Sequence, residues 1–122
     1  MARDVESLEV FRRSYALSLD VHRVSLEWPK WEQYGGIADQ LRRASKSVCA
    51  LLAEGAGRQD GSDVEFRRYV RMALGSTEEA KLWCRYVEDL GYAGADVAGR
   101  WRAAFAEVGR MLQGLLRCLS DD

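Results

Sequence analysis

The stretch SDVEFRRYVRMALGSTEEAKLWCRYVEDLG, residues 62–91, decides the fold class. It opens on a capping box, Ser62-x-x-Glu65, in which a hydroxyl and a carboxylate three residues apart satisfy the free N–H groups of a helix start. Phe66, Val70, Ala73, Thr77, Ala80, Cys84 and Val87 then recur at the three- and four-residue spacing of one helical face, widened by Tyr69, Met72, Trp83 and Leu90. Gly91 follows as the natural C-terminal cap. The spacing predicts one long helix over residues 63–90.

Working outward, GAG at 55–57 closes the preceding helix, 37–56, whose core row is Ile37, Leu41, Ala44, Val48 and Leu51, flanked by Cys49 and Leu52. Glycine takes the left-handed cap conformation cheaply, so Gly57 is expected there. Upstream, residues 4–27 carry two apolar rows: Leu8, Phe11, Tyr15, Leu19, His22 and Leu26, and beside it Val10, Leu17, Val21, Val24 and Trp28. Pro29, the single proline, ends that helix, because the residue before a proline avoids the helical region. Downstream, Val97, Trp101, Ala104, Phe105, Val108, Met111, Leu112, Leu115 and Leu119 mark a fourth helix over 96–119. No segment alternates with period two. Four helices of this length joined by short links predict an all-α, antiparallel up-down-up-down four-helix bundle in one domain, 1–122.

Composition agrees with a soluble domain. Of the 122 residues, 48% are hydrophobic and 30% charged, and 18 Lys+Arg against 19 Asp+Glu leave a net charge of −1. The N-terminus lacks an apolar signal core and no run spans a bilayer, so a cytoplasmic location without membrane contact is expected. Cys49, Cys84 and Cys118 are scattered and unpaired in spacing, and each reads as a buried thiol in a reducing compartment.

Catalytic and metal-binding patterns are missing, and neither enzyme activity nor a cofactor is expected. His22 is the one histidine, without the Glu-x-x-His partner of a bundle metal site, and reads as a hydrogen-bonded core or interface residue. Gly55-Ala-Gly-Arg58 closes a helix instead of opening one, so it reads as a cap and not as a phosphate cradle. Two features remain. Gln40, Arg43, Ser47, Ala50 and Glu54 share one face of the second helix, with Arg58 four residues beyond Glu54, and Gly75, Ser76 and Glu79 form a small polar patch on the third. Mid-helix Gly and Ser cost stability unless packing requires them, so these residues predict a polar seam between helices or subunits. Arg42, Lys46, Arg67, Arg68, Arg71, Arg110 and Arg117 are the candidate nucleic-acid contacts, since a net charge of −1 offers phosphate a positive surface only where assembly gathers cations. Trp28, Trp31, Tyr34, Tyr86 and Tyr92 exceed what the ends of one bundle easily bury and point to partners.

The segments GIADQLRRA (36–44), SVCALLAEGAGR (47–58), EFRRYVRMALGS (65–76), LGY (90–92) and MLQGLL (111–116) together resemble the four-helix-bundle proteins encoded in intervening sequences of bacterial 23S ribosomal RNA genes. The resemblance spans about Leu8 to Leu119. It implies a small antiparallel bundle that assembles into a ring-like homo-oligomer, typically a pentamer, with no catalytic activity. Through the related, strongly basic accessory variability determinants of diversity-generating retroelements, it also implies an RNA or nucleic-acid-enzyme partner. The chain departs from the family pattern at Leu51, where Asn is usual, at Cys49 for a frequent proline, at Thr77 for Leu, and in a pI near 5.9. The resemblance and the missing catalytic patterns give the expected role: a homo-oligomeric scaffold or adaptor, with direct RNA or DNA binding as the alternative.

Overall fold

The Ser62 hydroxyl accepts the Glu65 N–H at 3.3 Å, so Ser62 caps the longest helix, which starts where its sequence begins. The computed structural model describes residues 3–58 and 62–119. Among these residues there are four α-helices and no strand: α1 (Glu9–Ser25), α2 (Ile37–Ala56), α3 (Asp63–Asp89) and α4 (Ala95–Cys118). Short 3-10 turns occupy Val5–Ser7 and Lys30–Glu32. α1 begins later than expected because Leu8 is extended, at ψ 123°, and separates the first 3-10 turn from the helix. The connection expected across residues 59–61 lies outside the described residues.

The caps differ in a way that the glycine pattern did not reveal. Gly91 has φ +78°, its N–H reaches the Glu88 carbonyl at 3.1 Å, and the Tyr92 N–H reaches the Val87 carbonyl at 3.0 Å. That pair of bonds is a Schellman closure and needs a left-handed residue at Gly91. Gly57 sits at φ −81° and is right-handed, which corrects its expected role as a left-handed cap. The other left-handed glycine is Gly35, also at φ +78°, in the α1–α2 connection.

Around the bundle, α1 meets α2 and α4, and α3 meets α2 and α4, while the diagonal pairs do not meet among the described residues. His22 faces Lys46 and Ser25 faces Arg42; Ser47 faces Ser76 and Arg58 faces Tyr69; Arg67 faces Leu116 and Glu88 faces Arg102. The interior divides into two clusters. One holds Val21, Trp28, Leu41, Cys84, Val87, Trp101 and Phe105; the other holds Val10, Val48, Leu52, Phe66, Val70, Val108 and Leu112. Between their α3 contributions lies the fully buried Thr77, whose hydroxyl donates to the Ala73 carbonyl at 2.8 Å.

Several expected core positions are revised. On α1, the buried residues are Val10, Ser14, Ser18, Val21 and Ser25, while Tyr15 and Leu26 of the expected first row are exposed. The buried hydroxyls donate back to their own helix: Ser14 to Val10 O at 2.7 Å, Ser18 to Tyr15 O at 2.7 Å and Ser25 to His22 O at 3.1 Å. A serine satisfied this way can pack inward like a small apolar residue. On α3, Met72 and Leu90 lie outside the core face they were expected to widen. Trp28 is buried, stacked 6.0 Å from Tyr92 and tilted 6.1 Å from Trp101, so it leaves the set of exposed aromatics. Burial pushes the Cys49 thiol up to about 11 and the Cys84 thiol up to about 12, whereas Cys118 is exposed in the last turn of α4 and is not the buried thiol expected.

Candidate functional site

The seam residues of α2 and α3 come together in part. Ser47 Oγ and Ser76 Oγ lie 3.0 Å apart across the helix pair. They form the floor of an open groove of about 450 Å³ whose other walls are Gln40, Arg43, Ala44 and Glu79. Glu79 also accepts the Trp83 indole N–H at 3.0 Å. Further along α2, Arg58 bonds the Tyr69 hydroxyl, lies over the Tyr69 ring and pairs with Glu54 at 3.4 Å. Glu54 and Arg58 therefore belong to a separate cluster at the C-terminal end of α2.

Gly75 has a different position from the one expected. A mid-helix glycine predicts that packing requires it, yet Gly75 is exposed and a Cβ placed there would meet nothing within 4 Å. The close approach is at Gly55, where a Cβ would lie 2.6 Å from Tyr69 Cβ and 3.1 Å from Phe66 Cδ1. The sequence sets Gly55 in a helix stop and Gly75 in mid-helix, and neither position tells which one faces a neighbouring helix.

The candidate nucleic-acid contacts do not form one surface. Arg42 turns inward and donates to Ser25 Oγ at 2.7 Å and to Gln33 Oε1 at 2.8 Å. Lys46 Nζ lies 3.0 Å from His22 Nδ1. Arg67 bonds the Leu116 carbonyl, and that of Leu119 at 3.2 Å, so it caps the end of α4. Arg68 pairs with Glu65 at 3.1 Å and Arg110 with Glu107 at 2.6 Å. Arg71 and Arg117 are exposed and pair with no carboxylate among the described residues. No group of three or more His, Cys, Asp or Glu side chains is placed to share a metal ion among the described residues.

The end of the bundle at the α1–α2 connection holds a constellation that spacing did not reveal. Tyr92 Oη donates to Glu32 Oε2 at 2.5 Å, and Glu32 Oε1 accepts the Ile37 N–H at 2.8 Å. These bonds, the Tyr92 one foremost, hold the Glu32 carboxyl below its usual range and the Tyr92 hydroxyl above its own. Gln33 Nε2 donates to the carbonyls of Ser25 and Trp28 at 2.8 and 3.0 Å, which ties the connection to the end of α1. Beside it opens a cleft of about 510 Å³ lined by Leu26, Trp28, Lys30, Gln33, Tyr34 and Arg42. Only the crowding of Trp28, Trp31 and Tyr34 around Pro29 hinted at it.

His22, next to this cleft, is half-buried and its pKa is lowered from 6.5, by desolvation first and then by Lys46, Arg42 and Arg23. Above 6.5 the ring is neutral in both the folded and the unfolded chain. As the pH falls below 6.5, the unfolded chain takes up the proton first, and the folded state loses stability until the pH has passed its lower native value. Glu32 acts in the same direction at lower pH: its contribution is present above 4.5 and lost as the pH drops through its depressed native value. The urea midpoint is therefore expected to fall between about pH 7 and 5 in the native chain, and to stay flatter over that window in His22→Gln. Equal slopes in the two proteins would overturn this assignment.

The sequence profile of the 23S rRNA-intervening sequence protein family matches residues 6–114. Among curated proteins none matches this chain. A crystal structure from Bacteroides thetaiotaomicron, described as a protein of unknown function from the S23 ribosomal protein family, is similar with a TM-score of 0.75 and 15% identity. The similarity covers 88% of this chain and 97% of that one, and at this identity it carries the fold alone.

Proposed function

The chain belongs to the 23S rRNA-intervening sequence protein family, and from that premise we propose a non-enzymatic, homo-oligomeric four-helix-bundle scaffold or adaptor associated with RNA or a nucleic-acid enzyme. The observation that carries this reading is the outer face of α3. Met72, Leu82, Tyr86 and Leu90 are exposed there, around the open Gly75, with no other described element packed over them. An apolar row of this length on a surface is the usual mark of a partner.

A second bare set lies on and just after the diagonal helix, where Tyr15, stacked on the half-buried Phe11 at 6.1 Å, and Leu26 are exposed. Two different bare faces suit heterologous contacts, in which each subunit offers one face to its neighbour's other and a ring closes. Five subunits is the number that the family resemblance implies. An antiparallel up-down-up-down course supports such a ring, and its own support is that residue numbers climb on one helix as they fall on the next. A cytoplasmic location fits the three free cysteines, and no described helix is long and apolar enough to cross a membrane.

Light scattering at micromolar protein is expected to give several times 13.8 kDa. Leu82→Glu combined with Tyr86→Glu should return the mass to that of one chain with helical circular dichroism retained, because both side chains are exposed in the single chain. A native monomer, or a variant that assembles unchanged, would overturn the role of this face. The alternative reading, direct binding of nucleic acid, is favoured by a separate group of cations on α1, α2 and their connection.

A further inference from the structure

Charge pairing divides this molecule unevenly. Arg3, Arg13, Arg58, Arg68, Lys81, Arg100, Arg102 and Arg110 each lie within 4.0 Å of a carboxylate. Arg12, Arg71, Arg85 and Arg117 do not among the described residues, but they are scattered, whereas between residues 20 and 50 no cation does. Arg23, Lys30, Arg42, Arg43 and Lys46 have no carboxylate partner among the described residues, although five cations follow one another there. Arg42 is half-buried and its described partners are neutral oxygens, those of Ser25 and Gln33. Lys46 meets a neutral imidazole nitrogen. The carboxylates of the same stretch are engaged elsewhere: Asp20 with Trp101 and Arg100, Glu32 with Tyr92 and Ile37, and Asp39 with the Gly35 N–H. Glu27 is the exception, an exposed acid with no such contact among the described residues.

The same end carries the two most exposed aromatics of the described chain, Trp31 at 75% and Tyr34 at 93%. Trp31 sits in the 3-10 turn Lys30–Glu32, beside Glu32, which the Tyr92 hydroxyl and the Ile37 N–H hold in place. Tyr34 lines the cleft of about 510 Å³ together with Lys30 and Arg42. The cleft wall is preorganised: Gln33 is bonded to two carbonyls and to Arg42, which holds the guanidinium in place.

We infer that this cleft and the exposed surface around it are a binding site for single-stranded nucleic acid, with Tyr34 in the cleft and Trp31 on the adjoining 3-10 turn stacking bases, Lys30 and Arg42 in the cleft and Lys46 and Arg23 beyond it supplying the positive potential for phosphates. Exposed π faces beside cations that lack carboxylates are the two elements such sites combine: stacking that tolerates any base and a charged track for the backbone. Duplex is a poorer fit, because paired bases do not offer their faces. An apolar protein surface is a poorer fit too, since docking it would desolvate unpaired cations without compensation. Desolvation is the first cause of the lowered His22 pKa, and the further lowering by Lys46, Arg42 and Arg23 agrees with cations gathered at this end. The inference rests on the RNA association proposed above and assigns it a place, away from Arg67, Arg71, Arg110 and Arg117.

The test is fluorescence anisotropy of a labelled oligouridine of about 12 nucleotides, within the span such sites cover, read at about 50 and about 200 mM salt. A duplex of the same length and poly-glutamate serve as competitors, and light scattering accompanies each variant. The native protein should bind the single strand with steep loss at the higher salt, and neither competitor should displace it at equal charge. Trp31→Ala with Tyr34→Ala should weaken binding about 30-fold or more, from two stacked bases. Lys30→Gln with Lys46→Gln should lower the salt slope by about 1.4, and Arg71→Gln with Arg117→Gln should change neither. Absence of binding to either nucleic acid at low salt would overturn this site and the RNA association together. Binding that follows Arg71 and Arg117 but ignores Trp31 and Tyr34 would overturn the site alone. Equal displacement by poly-glutamate, or a fall in assembled mass in the aromatic variant, would overturn it in favour of an acidic protein partner or a subunit contact.

Discussion

Replacing Trp101 by alanine is expected to lower the unfolding free energy by about 3–5 kcal/mol, the usual cost of emptying a large buried aromatic site. Trp101 is 1% exposed and lies against Trp28, which in turn stacks on Tyr92, so three rings from α4 and from the α1–α2 and α3–α4 connections, both at one end of the bundle, form one cluster. Its indole N–H also donates to Asp20 Oδ2 at 2.7 Å, one of few polar ties between α4 and α1. The cavity should dominate the loss. Asp20 is half exposed and retains Arg100 at 3.7 Å, so water replaces the lost donor at modest cost. Trp101→Phe separates the two effects: it keeps most of the ring burial and loses the hydrogen bond, and should cost clearly less than alanine. Urea unfolding followed by far-ultraviolet circular dichroism, at one fixed protein concentration, measures both. A domain of this kind has about 5–15 kcal/mol in total. A loss below about 1 kcal/mol in the alanine variant would mean that the cluster is not what holds this end of the bundle.

The four helices were legible because their ends carry local chemistry. Ser62 and Gly91 act within a few residues, and the structure uses each where the sequence places it, whereas α1 has already ended at Ser25 before Pro29, which opens the 3-10 turn that follows. The inward face of α1 was not legible. Counting apolar residues favoured Tyr15 and Leu26, but the face that packs carries Ser14, Ser18 and Ser25 with their hydroxyls bonded to their own helix. A serine's burial depends on whether a neighbouring helix comes close, and spacing does not record that. The seam on α2 was legible in part, because residues three and four apart share a face in any helix. Which cations face solvent was not: Arg42 and Arg43 are adjacent, about 100° apart around the helix, and only one is drawn inward by Ser25 and Gln33. Those partners lie 17 and 9 residues away, so the unpaired charge at the α1–α2 end emerges only once the chain is folded.

Gly55→Ala and Gly75→Ala are expected to move stability in opposite directions. Both glycines lie inside helices, where alanine is intrinsically favoured by about 1 kcal/mol. At Gly75 nothing opposes that preference, because the added methyl meets open space; the isolated chain should gain about 0.5–1 kcal/mol. At Gly55 the methyl would fall 2.6 Å from Tyr69 Cβ and 3.0 Å from its Cγ, and a ring root next to the backbone cannot swing aside as a side-chain tip can. α2 and α3 would have to separate locally, at an overpacking cost of about 1–3 kcal/mol that exceeds the propensity gain over most of its range. Gly55→Leu, which adds three more carbons to the same point, should cost more than that and loosen the Arg58–Tyr69–Glu54 cluster anchored just beyond. Urea midpoints of the three variants decide the matter. A neutral or stabilised Gly55→Ala would mean that Tyr69 shifts freely and that the α2–α3 spacing is set by the Ser47–Ser76 contact instead. A destabilised Gly75→Ala would mean that the open side of α3 is already covered in solution, and would place Gly75 inside the subunit contact proposed for that face.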